Sequence, residues 1–359
     1  MSKEQPQYPI FFDSPFNKAT LAKLDNFVQP KHPGTICVVN YKGGVGKTTV
    51  TCLLGYYLAH GSPSEKVLLF DIDPQCSLSL ALGFDPDEVS KTELTVYNLV
   101  KPSKWTKVTK TNFGGYAVPV KDQFAPKNLH IVPGSFDVDH LDFEIMQTLV
   151  GNEKRYQEQL FLYVKQMLMA FSDYKYVLID CPPNKMFLTQ AMLRASSFYA
   201  VVTIPDVIST YGMPRLLRWV KDIPPAERPK LLGYVLNALN RAGGGMVNSQ
   251  AVAEFRLQQS IQSSLDPNEK KVIGANPCLG KIPRLDVIAK FLGEDNKYSR
   301  FDFSNHTSAQ LSVDECIKDL RNNLQQRIQK YEWDEAVAAT AAALRDNPKQ
   351  RSQTYNAQP

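Results

Sequence analysis

Long apolar runs are absent from this chain. No hydrophobic stretch of the sequence approaches the ~20 residues that a membrane-spanning helix needs. The opening residues, Met-Ser-Lys-Glu-Gln-Pro-Gln, contain no apolar core of a secretory signal. Internal repeats and low-complexity tracts are absent as well. We therefore expect a cytoplasmic protein that does not bind a membrane.

Cysteine is scarce and dispersed. No two cysteines form a C-x-x-C pair, which argues against an iron–sulfur cluster or a structural zinc site. Because several lie within apolar segments, we expect buried thiols in a reducing cytosol. The six cysteines are Cys37, Cys52, Cys76, Cys181, Cys278 and Cys316.

A strong excess of one charge is also lacking. The net charge of +5 and the isoelectric point near 8.7 permit contact with nucleic acid but do not require it. The hydrophobic fraction of 43% and the charged fraction of 21% are ordinary for a globular protein. A length of 359 residues suffices for one large α/β domain or two smaller ones.

The most informative segment is a glycine-rich loop between a strand and a helix. Residues 41–49 read Tyr-Lys-Gly-Gly-Val-Gly-Lys-Thr-Thr, after an apolar β-branched run at 35–39 and before a helical pattern that ends near Gly61. Such a loop points several backbone N–H groups at one anion. Lys47 would then reach the β- and γ-phosphates of a nucleotide, and the Thr48 hydroxyl would bind Mg²⁺. A glycine-rich turn without a ligand is the alternative.

Two further apolar strands end in aspartate. The strand at 66–71 leads into Asp71-Ile72-Asp73-Pro74-Gln75, and the strand at 176–180 leads into Asp-Cys-Pro-Pro. Because parallel strands present their carboxyl ends at one edge of a sheet, these carboxylates should emerge beside the glycine loop. Asp180 then fits the Walker B position, which holds Mg²⁺ directly or through water. For Asp73, a helix N-cap followed by proline is the alternative.

Together these motifs resemble the ParA/MinD family of deviant Walker A P-loop ATPases, and in particular its Soj-like ParA partition ATPases. The family loop is K-G-G-x-G-K-[ST], and residues 42–48 match it, with Tyr41 where the common P-loop pattern has glycine. The D-x-D-P-Q and D-C-P-P strings match the family too. The resemblance covers about 35–330 and implies a doubly wound, mainly parallel sheet with helices on both faces.

The resemblance implies a role for each matched residue. Lys42 would reach across a dimer to the partner's nucleotide, Lys47 would bind the phosphates, and Asp73 would orient the attacking water. ATP and Mg²⁺ are the implied cofactors, with Thr48, Asp71 and Asp180 on the metal side. The implied nucleotide-binding residues are Lys42, Gly43, Gly44, Val45, Gly46, Lys47, Thr48, Thr49, Asn237 and Pro283.

The resemblance also implies partners. ATP would bring two subunits together, the homodimer would bind nonspecific DNA at the nucleoid, and a ParB-like protein would stimulate hydrolysis during plasmid or chromosome partition. The alternative is an ATPase that positions a protein cargo, or serves a biosynthetic or secretion complex, without binding DNA. An ordinary solvated surface is the other interpretation of the basic residues considered for DNA contact. These are Lys101, Lys104, Lys107 and Lys110 around Trp105, and Arg215, Arg218, Arg321 and Arg327.

The predicted organisation has three parts. Residues 1–34 form an N-terminal extension, 35–330 form the ATPase domain with insertions at about 84–128 and 240–280, and 331–359 form a C-terminal helix and polar tail. The alanine-rich 333–345 is too weakly apolar for the membrane-binding helix of MinD-like proteins. Predicted strands are 35–40, 66–71, 129–133, 176–180, 199–204 and 231–236, and predicted helices are 19–27, 48–60, 153–171, 186–195, 210–221, 248–264, 285–292, 308–330 and 333–345.

Overall fold

A single eight-stranded sheet organises the chain in the computed structural model. The residues that the structure describes are 31–32, 34–101, 113–121, 125–148, 153–239, 241–242, 245–246, 248–284 and 308–346. Their strands are β1 Thr35–Val39, β2 Lys66–Asp71, β3 Val118–Pro119, β4 Leu129–Val132, β5 Tyr174–Asp180, β6 Phe198–Thr203, β7 Lys230–Leu239, β8 Arg241–Ala242, β9 Gly245–Met246 and β10 Cys278–Pro283.

The strand order of the large sheet is β10-β7-β6-β1-β5-β2-β4-β3. Neighbours pair in parallel, except that β3 is antiparallel to β4. β8 and β9 form a separate two-stranded ladder. The described helices are α1 Lys47–Gly61, α2 Ser77–Ala81, α3 Pro86–Ser90, α4 Val96–Val100, α5 Val138–Thr148, α6 Glu153–Ala170, α7 Phe187–Ala195, α8 Val207–Lys221, α9 Asn248–Ser264, α10 Pro267–Ile273 and α11 Ser308–Asp346.

Helices cover both faces of the sheet because its central strands are apolar on both sides. In β1, Ile36 and Val38 belong to a core cluster that includes residues of α1 and α11. The alternate residues Cys37 and Val39 belong to a second cluster, with residues of α6, α7, α8 and α9. This period of two is what a pleated strand imposes. The predicted doubly wound, mainly parallel α/β sheet is therefore confirmed.

The strand register determines where the site lies. Asp180, the last residue of β5, pairs with Val38 of β1 on one side and with Asp71 of β2 on the other. The loop that begins after β1 and the segments that follow β2 and β5 therefore leave the sheet at the same edge. This is the edge at which parallel α/β proteins bind ligands.

The six predicted strands are present, with ends shifted by at most a few residues. Two strands of the large sheet, β3 and β10, were not predicted. They lie at the two edges of the sheet, where β10 reads Cys-Leu-Gly-Lys-Ile-Pro, and its glycine and proline have low strand propensity. α5 was not predicted either. The predicted insertions contain regular structure: α3, α4 and β3 in the first, and β8, β9, α9 and α10 in the second.

The carboxyl-terminal helix differs from its prediction. Two helices, 308–330 and 333–345, were expected, but α11 is one continuous helix from Ser308 to Asp346. No glycine or proline interrupts it, so nothing in its sequence ends the hydrogen-bond ladder. The predicted helices at 19–27 and 285–292 lie outside the described residues.

Two further properties concern membrane-spanning helices and disulfides. In the described part of the chain, no helix has both the length and the apolar character needed to cross a membrane. No disulfide joins the six cysteines, five of which are buried.

Arg327 holds α11 onto the sheet. Its guanidinium is buried and donates hydrogen bonds to four backbone carbonyls, those of Leu232, Asn276, Pro277 and Cys278. These carbonyls belong to β7, to the first residue of β10 and to the two residues that precede β10. The prediction that Arg327 contributes to a DNA-binding face is therefore wrong, because its side chain is committed to the interior.

We expect Arg327→Met to lower the free energy of unfolding by about 2–4 kcal/mol, because buried carbonyl groups lose their donor. Urea unfolding followed by circular dichroism measures this. Arg218 is exposed on α8, so Arg218→Met is the matched control and should change stability by less than about 0.5 kcal/mol. An Arg327 variant as stable as the control would contradict this account of α11.

Candidate nucleotide-binding site

Glycine conformation shapes the loop between β1 and α1. Gly44 and Gly46 have φ values of +69° and +87°, a region that side chains disfavour. Gly46 is the N-cap of α1, and no side chain caps this helix end. No side chain therefore competes for the first-turn amides of α1, and their binding of an anion stays a prediction.

Asn237 supports the loop from β7. Its amide Nδ2 donates to the carbonyl of Val45 over 2.9 Å. A Cβ on Gly46 would lie 2.0 Å from the same nitrogen, so the close approach requires glycine. The adenine contact implied for Asn237 stays a prediction, as does that of Pro283, a buried residue paired with Leu239 at the end of β10.

Asp180 is the buried centre of the site. Its Oδ2 accepts a hydrogen bond from the Thr48 hydroxyl at 2.7 Å, and its Oδ1 accepts one from the Thr51 hydroxyl at 3.4 Å. Burial, followed by the neighbouring Asp71 carboxylate, raises the pKa of Asp180 to about 8, although Thr48 and Lys47 oppose this shift. Asp180 and the loop threonine Thr48 are thus in direct contact.

Lys47 lies in the same buried pocket. Burial lowers the pKa of its ammonium, and the nearby carboxylates of Asp180 and Asp73 oppose that change. A desolvated lysine beside carboxylates gains much from a polyanionic ligand, because phosphate oxygens would solvate its charge. The position agrees with a phosphate-binding role.

Asp71 has a partner that the sequence did not reveal. Its Oδ2 accepts hydrogen bonds from the Ser79 amide at 2.7 Å and the Ser79 hydroxyl at 2.6 Å. The Ser79 hydroxyl in turn accepts from the Gly134 amide at 2.8 Å. Burial raises the pKa of Asp71 to about 6, and its Oδ1 is buried without a hydrogen-bond partner among the described residues. Asp71 therefore anchors the middle of α2 and the loop after β4.

Asp73 is not a helix cap. The N-cap of α2 is Cys76, whereas the Asp73 Oδ1 accepts from the Gln75 amide at 3.0 Å within a turn. Asp73 is largely buried, and its charge acts on both Lys47 and Asp180. The structure thus brings Asp73 to the loop without using it to begin a helix.

The oxygen atoms at this edge suit Mg²⁺. Thr48, Asp71 and Asp180 offer one hydroxyl and two carboxylates, which are hard ligands, and the unpartnered Asp71 Oδ1 is one more acceptor. Among the described residues, no group of three or more histidine, cysteine, aspartate or glutamate side chains could hold a metal ion.

Lys42 is held within its own chain. Its ammonium forms an ion pair with Asp206, which also caps α8 by accepting from the Ser209 amide at 2.7 Å. Burial alone would raise the pKa of Asp206, but the bonds from Lys42 and Ser209 outweigh it and lower the pKa. Sequence reasoning missed Asp206. An aspartate just after a strand and three residues before a helical serine was the available signal.

The basic residues proposed for DNA contact are distributed unevenly. Arg215 and Arg218 are exposed on α8. Arg321 is half-buried and donates to the Tyr57 carbonyl at 3.4 Å. Lys101 is described, but the remaining lysines around Trp105 lie outside the described residues.

A strand, an uncapped glycine loop, a buried lysine and a threonine bonded to a strand-end aspartate define a P-loop nucleotide-binding protein. A family model described as AAA domain, designated AAA_31, matches residues 34–232, more than half of the chain. The chain belongs to this family and to the ParA/MinD group of proteins.

Curated relatives carry replication and partition names. A putative replication protein A of Rhizobium rhizogenes is 28% identical over 189 residues, which are 52% of this chain and 44% of that protein. The chromosome partitioning protein ParA of Caulobacter vibrioides is 27% identical over 253 residues, covering 68% of this chain and 84% of the relative. The chain spans about half the length of the replication proteins that it matches.

Solved structures show the same fold. Apo McdA of Cyanothece aligns with a TM-score of 0.62 at 17% identity, covering 81% of this chain and 99% of McdA. The cell division ATPase MinD of Pyrococcus furiosus aligns with a TM-score of 0.54 at 19% identity, covering 82% and 99%. At such identities the likeness concerns the fold alone.

We expect Gly46→Ala to lower the free energy of unfolding by about 1–3 kcal/mol, because alanine is strained at positive φ and its Cβ would meet Asn237. Gly43→Ala is the matched control within the same loop. A Cβ at Gly43 would have no other atom within 4 Å, so this substitution should change stability by less than about 1 kcal/mol. Thermal unfolding measures both, and equal losses would show that the Asn237 contact does not constrain the loop.

Proposed function

We propose that this protein is a Mg²⁺-dependent ParA-type ATPase that dimerises on ATP, binds nonspecific DNA in that state and drives plasmid or chromosome partition. The observation that carries the proposal is the contact of Thr48 with Asp180 beside Lys47. It joins the phosphate loop to the Walker B aspartate at the edge of the sheet where ligands bind.

The loop residues would bind and orient the nucleotide. The backbone from Gly43 to Thr49 would surround the phosphates, and Lys47 would neutralise their charge. Mg²⁺, held by Thr48 and Asp180 with support from Asp71, would offset the charge that develops on the transferred phosphoryl group. Because Lys47 and Asp180 are already buried and oriented, little reorganisation is needed once a nucleotide binds.

Asp73 would position the attacking water. It lies beyond the end of β2, close enough to Lys47 and Asp180 for their charges to interact. Its Oδ1 is oriented by the Gln75 amide, which holds the carboxylate in one direction. Phosphoryl transfer depends mainly on such positioning, so its loss should affect turnover more than binding.

Dimerisation and DNA binding rest on the family membership. Lys42 would leave Asp206 to reach the phosphates of the second subunit. Curated relatives named as chromosome partitioning ATPases, including Soj of Treponema pallidum, support the partition role. The net charge of +5 and the exposed Arg215 and Arg218 support an electrostatic contact with DNA. A ParB-like protein would stimulate hydrolysis, and the protein would act in the cytoplasm at the nucleoid.

The decisive experiment measures ATP turnover and DNA retention together. We expect Mg²⁺-dependent hydrolysis and ATP-dependent binding to long nonspecific duplex DNA that weakens as salt rises.

Lys47→Ala should lose about 100-fold or more in turnover because it removes the phosphate-binding charge. Undiminished turnover in this variant would contradict the site. ATP-dependent dimerisation without DNA binding would instead favour the protein-cargo or secretion alternative.

We expect Asp73→Ala to bind ATP and dimerise but to hydrolyse it about 100-fold more slowly, because only the water-positioning carboxylate is removed. Calorimetry gives the ATP affinity, and phosphate release gives turnover. Asp137→Ala is a suitable control, since this carboxylate lies in the loop after β4 and accepts only from Ser135 in the described contacts. Loss of ATP binding in a well-folded Asp73 variant would show a different role.

A further inference from the structure

Tyr41 departs from the common P-loop pattern, which has glycine at this position. Its ring packs against Trp219 in the last turns of α8, with centroids 5.5 Å apart and planes tilted by 40°. The Tyr41 hydroxyl is buried without a hydrogen-bond partner among the described residues, and burial raises the pKa of this phenol. Tyr41 therefore contributes the face of its ring rather than a hydrogen bond.

Lys185 adds a cation to this aromatic pair. Its Nζ lies 5.1 Å from the ring centroid of Tyr41 and 5.1 Å from that of Trp219. Both distances fall within the range of cation–π attraction, so one ammonium interacts with both rings. Lys185 belongs to the segment between Asp180 and α7, so it follows the Walker B aspartate closely in the chain.

This cluster of Tyr41, Lys185 and Trp219 joins three parts of the site. Tyr41 begins the phosphate loop, Lys185 lies in the segment after Asp180, and Trp219 lies on α8. The next loop residue, Lys42, is paired with Asp206 at the opposite end of α8. Two successive residues of the loop therefore contact both ends of one helix.

The two contacts lie in different halves of α8, on either side of Pro214. Pro214 lies inside the helix and cannot donate a backbone hydrogen bond, which weakens the ladder between the two halves. The second half packs into the core through Leu216, Leu217 and Val220. The first half exposes Ile208 and Tyr211, by 70% and 76%. A movement of the loop would reach each half through its own contact.

We propose that Tyr41, Lys185 and Trp219 are positioning residues that couple occupancy of the phosphate loop to the placement of α8. The inference rests on the proposed ATP site. Phosphates bound by Lys47, and a Mg²⁺ ion held by Asp180, would make a small adjustment of the loop and of the segment after β5, and with them of the flanking Tyr41 and Lys185. The cluster then carries that movement to the last turns of α8, and it acts through the loop and helix rather than on the reacting atoms.

Trp219 makes the coupling observable. The sequence has three tryptophans, so Trp105→Phe with Trp333→Phe leaves Trp219 as the only indole. Trp333 is 72% exposed, and its replacement leaves the sheet core intact. In this parent protein we would measure Trp219 emission with and without Mg²⁺–ATP, ATP affinity by calorimetry, and turnover.

We expect ATP to change the Trp219 emission of the parent. Lys185→Gln should remove most of this change in emission and lower turnover about fivefold. Its ATP affinity should stay within about twofold of the parent, because the substitution removes only a cation–π contact. Lys185→Arg should restore both signals, since it keeps the cation. Lys127→Gln is the control and should behave as the parent, because this exposed lysine precedes β4, which three strands separate from β6.

Tyr41 gives an independent arm if a lysine variant folds poorly. Tyr41→Phe keeps the ring and should keep the emission response, whereas Tyr41→Gln should lose it. Binding of ATP by calorimetry without any change in Trp219 emission would overturn the inference while leaving the proposed function intact. A full response and full turnover in Lys185→Gln would overturn it as well. A parent that binds no ATP would overturn both.

Discussion

The buried carboxylate of Asp180 is the group on which the rest of the site depends. A carboxylate without solvent is tolerated only when hydrogen bonds and opposite charges surround it, and here Thr48, Thr51 and Lys47 serve that purpose. All three come from the start of α1. The position of α1 against β5, and therefore the shape of the phosphate loop, is linked to the need to satisfy one strand-end aspartate.

Polar side chains of residues outside the phosphate loop hold the loop on two sides. Asn237 reaches it from β7 through the Val45 carbonyl, and Asp206 reaches it from α8 through Lys42. A backbone fixed in this way can present its amides to an anion without first being ordered, so less binding energy is spent on organisation. The Lys42–Asp206 pair and the contact of Tyr41 with Trp219 also connect the loop to the two ends of α8.

The fold alone does not assign a cargo. The chain shares its sheet with McdA and with a cell division ATPase at identities of 17% and 19%, and its curated relatives carry partition and replication names. One scaffold thus occurs with several biological roles, and function must be argued from the site and from measured partners. The site accounts for the proposed nucleotide binding, whereas the choice among DNA and protein partners depends on surfaces outside it.

The sequence by itself determined the motif residues and the positions of six strands along the chain. Local features can be recognised from one sequence. They include the glycine spacing, the additional Lys42 of the loop, and the apolar strands that end in Asp71 and Asp180. Only the tertiary structure placed the Arg327 side chain in the interior. It also decided three side-chain contacts between distant segments: Asp206 with Lys42, Asn237 with the Val45 carbonyl, and Ser79 with Asp71. It also decided the edge strands β3 and β10. These facts depend on which distant segments the sheet register brings together, and no local pattern encodes a partner that lies far away in the chain.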